Sequence, residues 1–201
     1  MKGLFLKDFY MIRSVLFIMF IVFLVIGAGL SFLSSPWVLI VLATVMLGMN
    51  AATTINMDRT SGWLKISNTL PIDKKTLISS KYMLYLTLSA MGLIFGVLLS
   101  VIVSRITGDF DPGKILLFIS ISITMSLMAG SLMIPCYFLF SEDKSILGTI
   151  LAYPVSAGIF VTFALLIDDQ AVMAAVNVCI AVIMFTISWK ISTIYIVKKD
   201  V

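Results

Sequence analysis

Not one charged side chain occurs between positions 14 and 57. A helix needs about 20 apolar residues to cross a bilayer, so this run is long enough to cross twice. Ser34-Ser35-Pro36 is the natural break between the two crossings. Uncharged runs then recur at 82–104, 115–141, 145–167 and 170–189. Each is long enough for one more span. The expected fold is an all-α membrane protein, one domain over 1–201, with six transmembrane helices at roughly 14–33, 36–57, 82–104, 115–140, 146–167 and 171–190. Composition agrees. Of 201 residues, 61% are hydrophobic and 12% charged, whereas a soluble domain has about 45–50% apolar and about 25% charged residues.

The same sequence removes several chemistries. It has no histidine, hence no His-based triad, zinc–histidine site or histidine proton relay. It has no G-x-x-x-x-G-K-[ST] loop, so it does not bind ATP through a P-loop of its own. Cys136 and Cys179 stand far apart inside apolar runs, which reads as two small hydrophobes rather than a disulfide framework or metal motif. The acidic pairs Glu142-Asp143 and Asp168-Asp169 lie in short loops without histidine or cysteine companions. They read as solvated loop charge. No catalytic, cofactor-binding or metal site is expected, and no nucleic-acid partner.

The net charge of +4 matters through its distribution. Six spans return both termini to one side. That side holds Lys2, Lys7, Arg13, Arg59, Lys65, Lys74, Lys75, Lys81, Lys144, Lys190, Lys198 and Lys199, and only Arg105 and Lys114 fall opposite. The positive-inside rule therefore puts both termini in the cytoplasm. The first apolar run is longer than a signal-peptide core of about 7–15 residues and is read as a retained anchor. Counted between flanking charges, the spans contain no Asp, Glu, Lys or Arg. That weighs against a proton-coupled carrier, which needs ionisable groups inside the membrane. Small residues recur at packing spacing: Gly92 and Gly96, then Ser122, Ser126 and Gly130. They suit close helix approach, within this chain or between subunits.

The longest polar stretch, 58–81, joins the second and third spans. Trp63, Ile66 and Leu70 fall at i, i+3 and i+7, one face of a short helix that can lie at the membrane interface. Pro71 ends it, because the residue before a proline is biased away from helix. Asp73 is placed to cap the helix that follows.

This loop resembles that of the short ABC-2 type exporter permeases. The resemblance rests on Asp58, Ser61-Gly62-Trp63, Leu70-Pro71, Lys74-Lys75 and Ser80-Lys81-Tyr82, in order and spacing, and on the opening Leu4-Phe5-Leu6-Lys7-Asp8-Phe9. The chain departs from the pattern at Arg59, where the family often has a second acid, and at Asp73, where it often has serine. The resemblance implies a short N-terminal interfacial helix and a cytoplasmic coupling helix between spans two and three. The coupling residues it implies are Asp58, Gly62, Trp63, Ile66, Leu70, Pro71, Lys74 and Lys75. It also implies a permease subunit in a bacterial cytoplasmic membrane, in contact with lipid and paired with a second copy or a related permease. Separate ABC ATPase subunits would bind ATP and magnesium. Export of amphipathic peptides of the phenol-soluble-modulin type is the branch it looks most like. The alternative is a stand-alone carrier or channel.

Overall fold

The computed structural model describes residues 2–30, 35–67, 69, 73–108, 110–140, 142–167 and 169–198. Every secondary-structure element among them is helical: α1 (Lys2–Leu30), α2 (Val38–Thr60), α3 (Trp63–Ser67), α4 (Lys74–Thr107), α5 (Pro112–Leu139), α6 (Glu142–Leu166) and α7 (Gln170–Lys198). All but α3 are long and apolar enough to cross a membrane. The six-helix membrane architecture expected from the uncharged runs is the one observed. Pro135 and Pro154 sit inside unbroken helices.

The helices outrun the spans drawn from charge, and this changes two expectations. The opening segment is not set apart as an interfacial helix; it continues without interruption into the first span as α1. The second is chemical. Because α2 runs on to Thr60 and α4 begins at Lys74, Asp58 and Lys81 belong to the spanning helices rather than to a loop. Ending a span at its first charge misplaces the boundary wherever that charge finds a buried partner. The spans are therefore not free of ionisable groups.

Helix α2 is the axis of the fold. In its most apolar stretch 56% of residues are buried, against 17% for α1 and 11% for α6. Its closest neighbour is α4, and glycine sets the distance. A Cβ on Gly92 would stand 2.5 Å from the Ala43 carbonyl oxygen, and one on Gly96 would stand 2.8 Å from Ile40 Cα. Both obstacles are backbone, so no rotamer change relieves them. Gly92→Ala is expected to push the two helices apart at about 1–3 kcal/mol, the usual range for overpacking. Unfolding in detergent measures it, and an unchanged midpoint would show that the pair can slide.

The second small-residue row is also used inside the chain. Ser122, Ser126 and Gly130 are all buried. The Tyr85 hydroxyl donates to the Ser126 carbonyl at 2.6 Å, and Ser126 Oγ donates to Ser89 Oγ at 2.9 Å. The Tyr85 ring lies against Gly130 where a side chain would begin. Ser122 turns its hydroxyl to the Phe118 carbonyl of its own helix. Asp73 caps α4, accepting from Lys75 N at 3.2 Å, as its position before the helix suggests. Of the two cysteines, Cys136 is partly buried while Cys179 faces outward from α7.

Candidate functional site

Four charged side chains meet at the ends of α1, α2 and α4 that lie on the side of the chain termini. Lys81 Nζ lies 2.7 Å from Asp8 Oδ2 and 2.6 Å from Asp58 Oδ2. Lys7 Nζ pairs with Asp58 and lies 3.1 Å from Asp8 Oδ1. Each carboxylate therefore touches both ammonium groups, and the four charges cancel. Lys81 also donates a hydrogen bond to Thr54 Oγ1 at 3.2 Å. The side chains of Asp8, Asp58 and Lys81 are almost fully enclosed; only Lys7 reaches water, at 27% exposure.

Removing charges from water costs several kcal/mol per ion, and a buried pair repays this only with good geometry and full satisfaction. What such a cluster supplies is register. It ties together three helices from separate parts of the sequence. Trp63, the first residue of α3, covers the open side, with its ring centroid 4.7 Å from Lys7 Nζ. That cation–π contact links the short helix to α1 directly.

The turn that delivers Trp63 depends on Gly62. The Gly62 N–H donates to the Arg59 carbonyl at 3.1 Å and the Ser61 N–H to that of Met57 at 3.0 Å, closing α2. Gly62 adopts φ +73°, a conformation that residues with a Cβ rarely take. The described part of the expected coupling helix is α3, Trp63–Ser67. Ile66 projects outward at 52% exposure. Leu70 and Pro71 lie outside the described residues. Lys74 and Lys75 open α4, and Lys75 Nζ lies 5.9 Å from the Trp189 ring centroid.

Arg59, the departure from the family pattern, also has a task. Its guanidinium donates to the Tyr137 carbonyl in the last turn of α5, where helix carbonyls lack intrahelical partners and the dipole favours a cation. Around it the same end of the molecule is stitched further. The Tyr82 hydroxyl bonds Ser188 at 2.8 Å and Ser192 at 2.9 Å, and Trp189 Nε1 donates to Ser79 at 3.0 Å. Thr149 joins the Tyr137 hydroxyl at 2.9 Å. All six spanning helices thus enter one polar layer at the end that carries α3.

The ABC-2 family transporter protein profile matches residues 3–198. The chain belongs to that family. No curated protein and no solved structure matches it. As an ABC-2 permease it is the multi-pass membrane component of an ABC transporter. Of its expected coupling residues, the structure brings Asp58 and Trp63 to a common centre at Lys7. That centre adds Lys7, Asp8 and Lys81, none of them among the coupling residues expected from the sequence. A signal existed in the motif pieces, since the opening Lys7-Asp8, Asp58 and Ser80-Lys81-Tyr82 each belong to the resemblance.

Proposed function

We propose that this ABC-2 permease is the membrane half of an ATP-driven exporter in a bacterial cytoplasmic membrane. It moves amphipathic or hydrophobic peptides outward as a pair of permease subunits, either two copies or this chain with a relative. Its termini and α3 face the cytoplasm, consistent with twelve basic residues on that side against two opposite. Separate ATPase subunits bind ATP with magnesium and dock on the 58–81 segment.

The observation that carries this reading is the contact of Trp63 on Lys7. A push on α3 reaches α1 through the ring and reaches α2 and α4 through the four charges, so three spans respond together. Rigid-body rocking of packed helices is an established way to convert such a push into alternating access. The exposed Ile66 gives a partner an apolar point to grip. The buried charges do not argue for a self-sufficient carrier. Secondary transporters place coupling ions near the membrane midplane, whereas this cluster sits at the helix ends and is internally neutral.

The test is purification from native membranes in mild detergent. A stoichiometric P-loop ATPase is expected to accompany the chain. A chain that comes down alone, as monomer or dimer, would overturn the coupling and leave the stand-alone carrier or channel in its place.

A further inference from the structure

An open groove of about 320 Å³ runs beside α1, walled by Leu16, Phe17 and Phe20 and by Leu88, Met91 and Phe95 of α4. One charged residue lines it, Arg13. We infer that this groove holds one anionic phospholipid from the leaflet on the side of the termini, its phosphate on Arg13 and an acyl chain along Phe17 and Phe20.

Charge is the first reason. Arg13 has no carboxylate within ion-pair reach among the described residues; its one described contact is the Tyr10 ring, 5.8 Å away on the same helix. The nearest acid on α1, Asp8, is already held by Lys7 and Lys81. A cation at the edge of hydrocarbon needs an anionic partner, and guanidinium suits phosphate oxygens through paired N–H donors. Side chains on a helix tilt toward its N-terminus, which swings the Arg13 head away from the bilayer centre and toward headgroup depth.

Length is the second. From Arg13, at headgroup depth, to Phe20 the helix rises about 10 Å at roughly 1.5 Å per residue. Half of a hydrocarbon core of about 30 Å is about 15 Å, so the apolar part of the groove lies within one leaflet. A second copy of the chain fits less well. A two-fold pairing on this face would bring like against like at the same depth, Arg13 toward Arg13.

The test uses the full chain purified in mild detergent and offered equal phosphatidylglycerol and phosphatidylcholine, with bound lipid read by native mass spectrometry. One retained phosphatidylglycerol is expected, preferred by about fivefold, the effect of one basic residue near anionic lipid. Arg13→Gln should abolish the preference while Arg105→Gln, at the opposite end, keeps it. Met91→Trp should fill the groove and lower retention of both lipids. Soluble glycerol phosphate should not displace the lipid, since it lacks the chain. An undiminished preference in Arg13→Gln would overturn the site, as would full competition by glycerol phosphate. Disulfide-linked dimers of Phe17→Cys in a Cys136→Ser, Cys179→Ser background would reassign the face to a contact between copies. The result is independent of the ATPase: a chain that purifies without one should still retain the lipid.

Discussion

Lys81→Met is expected to destabilise the protein by about 3–5 kcal/mol, the range for removing one partner from a buried ion pair. The substitution keeps the length and apolar stem of the side chain but withdraws the ammonium that both carboxylates share at 2.6 and 2.7 Å. Asp8 and Asp58 are then left facing each other with Lys7 as their sole cation, and Thr54 loses a donor. Equilibrium unfolding in detergent and the amount of chain retained in the membrane both read the loss. The double variant Asp8→Asn, Lys81→Met removes one charge of each sign and should recover most of it, because balanced removal of a buried pair is often close to neutral. A Lys81→Met protein within about 0.5 kcal/mol of the parent, the scatter of ordinary surface changes, would mean that water already solvates the cluster.

Trp63→Ala combined with Leu70→Ala should do the opposite, sparing the fold and ending the work. Loss of the ring over Lys7 removes a partly exposed cation–π contact of about 0.5–1 kcal/mol, too little to unfold six packed helices. Export should nevertheless fall at least tenfold, equivalent to about 1.4 kcal/mol on the limiting step, since α3 would no longer bear on α1. The assay is export together with substrate-stimulated ATP hydrolysis in vesicles containing the permease and its ATPase. Normal values for both in this double variant would sink the role assigned to the 58–81 segment. The two experiments separate two properties proposed for one site: Lys81 in the assembly of the helices, and Trp63 in the transmission of motion to them.

Hydropathy located the spans because a bilayer imposes a single strong requirement, a long apolar stretch, and this chain meets it six times. Local chemistry was equally readable where it acts over a few residues, as with Asp73 before α4. The ion cluster was hidden for a different reason. Lys7, Asp8, Asp58 and Lys81 are brought together by packing of α1, α2 and α4 across as many as 73 positions of sequence, and no periodicity spans that gap. Counting charges also assigned Asp58 and Lys81 to a loop, which placed them in water just where the structure buries them. The small-residue rows left two uses open. Only the positions of Ala43 and Ile40 reveal that Gly92 and Gly96 serve α2.

The order of the four charges along the chain has a consequence for biosynthesis. Translation delivers Lys7 and Asp8 first, then Asp58, and Lys81 last. At about 5–20 residues per second, the 23 residues from Asp58 to Lys81 occupy the ribosome for roughly one to five seconds. During that interval the first two helices carry two carboxylates and one ammonium of the set. They cannot settle into their final contact as a hairpin. The smallest unit that can leave the insertion machinery with all four charges in place is the triplet α1, α2 and α4, so nascent chains arrested before Lys81 should remain associated with the translocon.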